Sequence, residues 1–415
     1  MLKEDYNDMS KLILEEAKEL QDELVSYRRH LHENPEIGMD IPETAAFVKE
    51  KLEEMGYEAQ YVSNTGVTAL AGGKKPGKVI LLRADMDALP IQEEAGVSFK
   101  SCNNYMHACG HDLHTAMLLG AAKLLKNKED ELEGTVKFMF QPAEETLAGA
   151  KQMVQDGILE NPNVDMAVMF HVMPGVPLPS GTILVPESGT FTSSSDSFEL
   201  VIKGKGGHGA MPETAVDPLL VASHIHLALQ EIRSRELSSG ENAVLTVSQI
   251  QGGNSYNIIP DTVMMKGTIR TFNDQTRQYI PKRIEEIAKG VANAFRAEAS
   301  FTLIEGCPSV VNDEAVINDV RKILTDAFGP RTVPGLEILG EQKMNGSEDF
   351  SYISQRVPSA MLIIGAGSQE EGYPYTVHHP KVTFNEDILS QGAAAFALIA
   401  LHWLRKNNHL EKVDG

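Results

Sequence analysis

Three near-continuous apolar runs, KVILLRAD at 78–85, GTVKFMFQP at 134–142 and DMAVMFH at 165–171, have no polar face to offer to water. Strands of that kind are stable only when both faces are covered, so they demand a buried sheet with helices packed on it. Apolar residues at helical spacing meet that demand at 10–33, which stops before Pro35, from Pro42 to Met55 before Gly56, and from His111 to Lys126. Shorter strand-like runs, YEAQYV and VTALAG, lie between them. SAMLIIGAG at 359–367 and a helix from about Asp387 to Arg405 resume the pattern near the C-terminus. The architecture expected is α/β. In such sheets the functional side chains gather at the carboxyl ends of strands, and here those ends carry Asp85, the pair Glu144–Glu145 and His171.

The middle of the chain has a different order. Ser197–Lys203, Ala243–Gln251, Thr262–Thr271 and Ser300–Glu305 read as strands, Val216–Arg233 and Thr276–Phe295 as helices. The order β-α-β-β-α-β is the split unit of ferredoxin-like domains. A chain of 415 residues exceeds what one hydrophobic core usually serves. The expected division is therefore a mixed-sheet α/β domain in two pieces, 1–187 and 305–415, with an α+β domain inserted at 188–304.

Charge and cysteine content narrow the setting. A formal net charge of −21 argues against nucleic acid or an anionic membrane as partner. Three cysteines are too few and too irregular for a disulfide framework, which points to a reducing, cytoplasmic compartment. The acidic start MLKEDYNDMS lacks the apolar core of a signal peptide. Ile388–Leu404, the most apolar late segment, includes Ser390, Gln391, Gly392 and His402 and reads as a buried helix, not a membrane span.

The chemistry concentrates in MHACGHDLH at 106–114, which holds His107, Cys109, His111, Asp112 and His114. Thiolate, imidazole and carboxylate are ligands for borderline-soft divalent metals. Glu144–Glu145, His171 and His378–His379–Pro380 supply further candidates from distant parts of the chain. A catalytic metal keeps one position open for water, and a nearby carboxylate takes that water's proton. Two adjacent glutamates suit that division, although on their own they could simply open a helix. A structural zinc site from Cys102, Cys109, His111 and another histidine is the competing reading, and it lacks the paired short-spaced ligands of zinc fingers and ribbons. His30 and His32 read as helix-face or capping residues; His224, His226, His402, His409, Cys102 and Cys307 have no partner pattern. The glycine-rich KGKGGHGA at 203–210, with His208, and NSYNIIPD at 254–261 are ordinary turns or ligand-facing strips.

Taken together these segments resemble the amidohydrolase branch of the aminoacylase/carboxypeptidase metallopeptidase family, which includes hippurate hydrolases, N-acyl-amino-acid deacylases and plant auxin-conjugate hydrolases. The resemblance rests on RRHLH at 28–32 with Pro35–Glu36, RADMDALP at 83–90, HACGHD at 107–112, QPAEE at 141–145, FHV at 170–172, GGHGA at 206–210, NIIPD at 257–261 and GSEDF at 346–350. It implies a dinuclear site in which Cys109 bridges two divalent ions, Mn or Zn with Co or Ni as alternatives, and His111, Glu145, His171 and His378 complete the ligands. His378 is preferred to His379 for its place two residues before Pro380. By the same resemblance Glu144 is the general base, and the inserted domain is a lid and dimerisation domain whose His208 reaches the partner's metal site. Asn257 and Arg270 match positions that hold the substrate's amide or carboxylate. The implied function is hydrolysis of the amide bond of small N-acyl amino acids, of the hippurate or N-acetyl type, by a homodimer or dimer-based oligomer. A dipeptidase or carboxypeptidase on the same site is the alternative enzyme. A non-catalytic metal-binding or thiol-sensing protein is the alternative outside enzymology, and the presence of a base counts against it.

Overall fold

The computed structural model describes residues 2–335 and 343–411. They fall into two compact units, the first drawn from Met1–Phe191, Val311–Lys343 and Asp349–Gly415, the second from Thr192–Val310 and Met344–Glu348.

The first unit opens with α1 (Leu2–Glu19) and α2 (Gln21–Glu33) where the spacing predicts one helix over 10–33. The two meet at Leu20, whose N–H bonds Ala17 O at 3.1 Å, a three-residue turn that apolar periodicity does not register. Helix α3 (Pro42–Glu54) starts on proline, as its first-turn position favours. Strand β1 (Gln60–Val62) begins later than expected, because the Tyr57 N–H closes the end of α3 on Leu52 O at 3.0 Å. Then follow β2 (Gly66–Gly72), β3 (Val79–Asp85), α4 (His111–Asn127), β4 (Thr135–Gln141), α5 (Gly149–Gln155), β5 (Met166–Met173) and β6 (Ile183–Val185). Every residue of β3 and β4 is buried, the two-sided cover that their apolar sequence requires.

The second unit contains β7 (Ser195–Lys203), α6 (Pro218–Ala228), β8 (Ala243–Gln251), β9 (Thr262–Thr271), α7 (Asp274–Ala294) and β10 (Glu298–Cys307). Its sheet runs β8-β9-β7-β10, antiparallel throughout, which is the ferredoxin-like arrangement. Alternate residues Phe198, Leu200 and Ile202 of β7 and Val263 and Met265 of β9 face the two helices and are buried. Both helices are capped by their sequence. Asp217 accepts the Leu219 N–H at 2.9 Å, and Asn273 accepts the Gln275 N–H at 2.8 Å.

The chain completes the first unit with α8 (Glu314–Phe328), β11 (Thr332–Pro334), β12 (Ser359–Gly365) and α9 (Leu389–Glu411). The full sheet is ordered β1-β2-β4-β3-β5-β12-β6-β11; its centre, β4-β3-β5-β12, is parallel, and β1, β2 and the β12–β6 pair make it mixed. Helix α8 was not anticipated, though Val316, Ile317, Val320 and Leu324 form a buried stripe behind an Asp313 cap. Among the described residues, Glu386–Asn408 alone is long and apolar enough to cross a membrane, and it is mostly buried inside this unit. Phe396 there packs edge-on against Phe170 of β5 at 4.7 Å, burial worth about 1.5–3 kcal/mol for such a side chain.

Candidate metal centre

Strands β3, β4 and β5 lie side by side and parallel, with Asp85 opposite Gln141 and Arg83 opposite Met169. Their carboxyl ends therefore open on one edge of the sheet, and the segments that leave that edge build the site. Helix α4 begins there at His111. Gly110, between Cys109 and His111, has φ +88°, and a Cβ at that position would meet Val172 Cγ2 at 2.4 Å. Only glycine makes this turn without strain. After β4 the chain turns at Ala143, which is left-handed at φ +56°, and presents Glu144 and Glu145. His171 lies near the end of β5. His378 enters from the C-terminal part of the unit, held by its own N–H on Ala108 O at 2.8 Å.

Five side chains converge in two groups that share one atom. Cys109, His111 and His171 place their ligand atoms within 4.8 Å of one another, and so do Cys109, Glu145 and His378. Cys109 Sγ is 3.4 Å from His171 Nε2 and 3.3 Å from His378 Nε2. Glu145 Oε1 is 3.4 Å from His378 Nε2 and 3.8 Å from His111 Nε2, and Glu144 Oε2 is 4.0 Å from His111 Nε2. Ligand atoms around a tetrahedral ion with bonds of about 2.1 Å stand about 3.4 Å apart, so the spacing suits divalent ions. His111 Nε2 and Glu145 Oε1 are buried and have no hydrogen-bond partner among the described residues, as ligand atoms would.

The imidazoles are turned for this task. His111 Nδ1 donates to Asp87 O at 2.8 Å and His171 Nδ1 donates to Val172 O at 2.8 Å, which leaves both Nε2 lone pairs facing the cluster. Burial pushes the Cys109 thiol up and takes His171 down to about 3. Burial also opposes the charge on His111, but Asp85 and Cys109 outweigh it and hold its pKa well above the usual value. His378 is driven up to about 10, first by its bond to Cys109 and then by Glu145. A bound divalent ion takes the place of such protons, and a coordinating thiol is deprotonated outright.

His114 and Asp112, two other members of the 106–114 cluster, are committed to other partners. His114 donates from Nδ1 to Asp85 Oδ1 at 2.6 Å and accepts the Val172 N–H on Nε2 at 2.9 Å, so neither ring nitrogen has a lone pair to give a metal. Asp85 is bound in turn by Arg83 at 2.7 Å. Against the cost of burial, Arg83 and the neighbouring histidines hold that carboxyl well below its ordinary range. Arg83 also binds Gln141 Oε1 at 2.8 Å and Asp349 Oδ1 at 3.0 Å, all three side chains fully buried. Asp112 faces α2, where it accepts from Arg28 Nε at 2.7 Å and from His32 Nδ1 at 2.8 Å; His32 Nε2 reaches Glu93 at 3.2 Å. His32 is thus a residue of the last turn of α2, as expected, and its buried face joins a charged network. Cys102 is exposed and belongs to no ligand group, and His379 stacks on Tyr375 at 4.1 Å with its Nδ1 on the Lys381 N–H.

One residue of this site had no role in the sequence reading. Asp87, two positions past the end of β3 and fully buried, accepts the N–H of Glu144 at 3.0 Å and of Glu145 at 3.2 Å. Its only sequence signal is a second aspartate in RADMDALP.

His208, Asn257 and Arg270 lie on the second unit. His208 is exposed in a two-residue ladder with Ile258, next to Gly209, whose N–H bonds Asn257 O at 2.8 Å. His208 Nδ1 accepts the Ala210 N–H at 3.1 Å, which puts the proton on Nε2 and leaves that N–H as a donor. Asn257 is exposed and accepts from Ser255 Oγ at 2.7 Å, while Arg270, on β9, donates to Ile269 O at 3.1 Å.

The profile of Peptidase family M20/M25/M40 matches residues 81–402. An N-acetylcysteine deacetylase of Bacillus subtilis is 39% identical over 91% of this chain and 96% of its own. An IAA-amino acid hydrolase (ILR1-like 2) of Arabidopsis thaliana is 38% identical over 99% of this chain and 92% of its own. Among solved structures, the YXEP protein of Bacillus subtilis, described as a dinuclear metal-binding peptidase, superposes with a TM-score of 0.79 at 36% identity, covering 94% of this chain and 99% of that one.

Proposed function

The chain belongs to Peptidase family M20/M25/M40, and from that membership we propose that it is a deacylase of small N-acyl amino acids that uses Glu144 as its base. The coarse activity is the family's, metal-dependent hydrolysis of N-acyl amino acids or their conjugates. The observation that carries the finer reading is the sharing of Cys109 between two ligand groups with a second glutamate beside them. Two divalent ions, manganese or zinc by ligand type, would polarise the scissile carbonyl and acidify water to near neutrality.

The chain's own residues divide the remaining work. Glu144 accepts the proton of the attacking water and returns it to the leaving amine. Glu145, His111, His171, His378 and Cys109 hold the ions. Asn257 and Arg270 bind the amide or carboxylate of the substrate, guanidinium being suited to carboxylate. His208 donates its Nε2–H to the developing oxyanion of a partner subunit's substrate. A homodimer through the second unit is supported by the open edge of β8 and by the exposed Leu219, Leu220, Leu227, Val244 and Ile250. A cytoplasmic location accords with three unpaired cysteines.

The test is a substrate screen of the apo-protein reloaded in turn with manganese, zinc, cobalt and nickel, against hippurate, N-acetyl amino acids and dipeptides. Release of free amino acid from the acylated substrates at rates well above those for dipeptides is the expected result. Faster cleavage of dipeptides would replace this reading with the dipeptidase one.

A further inference from the structure

We propose that the turn at 158–162, which joins α5 to β5, is a monovalent-cation cage and that the ammonium of Lys137 is its tethered cation. Lys137 is the third residue of β4 and is buried. Its Nζ donates to three backbone carbonyls: Ile158 O at 3.0 Å, Glu160 O at 2.7 Å and Pro162 O at 3.0 Å. The three oxygens belong to alternate residues, and Asn161, left-handed at φ +49°, turns the chain between the last two. Among the described residues none of the three accepts another hydrogen bond. An ammonium has three donors and no acceptor, so each of its hydrogens meets one carbonyl. Without it, three backbone acceptors would lose their only protein partner.

Backbone carbonyls grouped in this way are what proteins use to replace the hydration shell of potassium, and potassium and ammonium ions are of nearly the same size. The surroundings suit a cation too. The cage borders a cavity of about 610 Å³ lined by four carboxylates, Glu58, Glu129, Asp156 and Glu160, against two ammonium groups, Lys126 and Lys137. Lys126 pairs with Glu129 at 2.8 Å, which leaves carboxylates in excess and draws cations to the cavity. Burial lowers the Lys137 pKa to about 8, so the side chain is still largely charged at neutral pH. Lys137 lies in the amino-terminal half of β4, and the turn precedes the start of β5. The cage is therefore apart from the carboxyl-end edge of the sheet where the metal centre is built, and it does not rest on the roles given to Glu144 and Glu145.

Lys137→Ala and Lys137→Met together separate a cation cage from a plain side-chain contact. Alanine opens the place of the ammonium to the adjoining cavity, whereas methionine fills most of it with apolar atoms. Melted with the metal centre loaded, in choline chloride, both variants should fall below wild type by about 4 °C or more, as loss of hydrogen bonds to a buried charge implies. Potassium or ammonium chloride at equal ionic strength should then bring Lys137→Ala back towards wild type in a saturable way. Lys137→Met should keep its distance from wild type in every salt. A Lys137→Ala chain that also keeps its distance in all three salts would overturn the proposal, and so would a Lys137→Met chain as stable as wild type. Should neither variant fold, NMR of the nitrogen-labelled wild-type protein decides. The Lys137 ammonium should give a slowly exchanging signal, and exchange as fast as at the exposed Lys74 would refute the cage.

Discussion

Cys109 Sγ and His378 Nε2 stand 3.3 Å apart although 269 residues separate them in the chain. The contact is not left to the side chains alone, because the His378 N–H is bonded to Ala108 O at 2.8 Å, one residue before the thiol. The backbone thus brings the C-terminal segment to the one sulfur that both ligand groups share. Replacing Cys109 with alanine should accordingly lower metal content from two ions per chain to one or none, measured by elemental analysis after dialysis. Two tightly held ions in that variant would exclude a bridging thiolate.

If Glu144 is the base, Glu144→Gln removes the proton acceptor while keeping the length of the side chain. Its backbone N–H on Asp87 is unchanged by the substitution, and Glu145 remains among the ligand atoms. Metal content should stay near wild type while kcat falls about 10²–10⁴-fold, the usual range for a general base. Turnover near wild type at full metal occupancy would reassign the two glutamates.

The sheet was readable because β3 and β4 are buried on both faces and so carry no polar alternation to confuse the pattern. The second unit was readable because its strands and helices follow in an order that few folds share. Within 106–114 the limits are plain. Residue type alone does not separate Cys109 and His111, which face the cluster, from Asp112 and His114, which serve Arg28 and Asp85. That distinction depends on helix phase and on partners more than 25 residues away in sequence, such as Asp85 for His114 and Arg28 for Asp112. Asp87 was invisible for the same reason: its partners are backbone amides 57 and 58 residues on, and backbone amides leave no mark in a sequence.

His32 makes stability depend on pH. Burial disfavours its charge, but hydrogen bonds to Asp112 and Glu93 outweigh that and raise its pKa above the ordinary value near 6.5. A raised folded-state pKa means that the stabilisation is fully present below pH 6.5 and is lost as pH rises through the folded value. One proton of difference sets the slope at no more than about 1.4 kcal/mol per pH unit. Urea unfolding of the metal-free protein from pH 5.5 to 9 should therefore show wild type losing stability relative to His32→Gln across that window. Parallel curves for the two would mean that His32 is not held as a cation.

His208 offers its Nε2–H to solvent, with Nδ1 fixed on the Ala210 N–H, in a unit that contributes none of the five candidate ligand side chains. If that donor serves the partner subunit's substrate, His208→Ala should lower kcat by about 10²–10³-fold, the cost of one oxyanion donor, with metal content unchanged. Mixing His208→Ala with Glu144→Gln then separates action within a chain from action across the dimer. In a heterodimer, one site would combine the intact Glu144 of the first variant with the intact His208 of the second. Subunit exchange, followed by native mass spectrometry to count heterodimers, should restore activity in proportion to their number. Heterodimers in quantity without activity above that of the parents would confine His208 to its own chain.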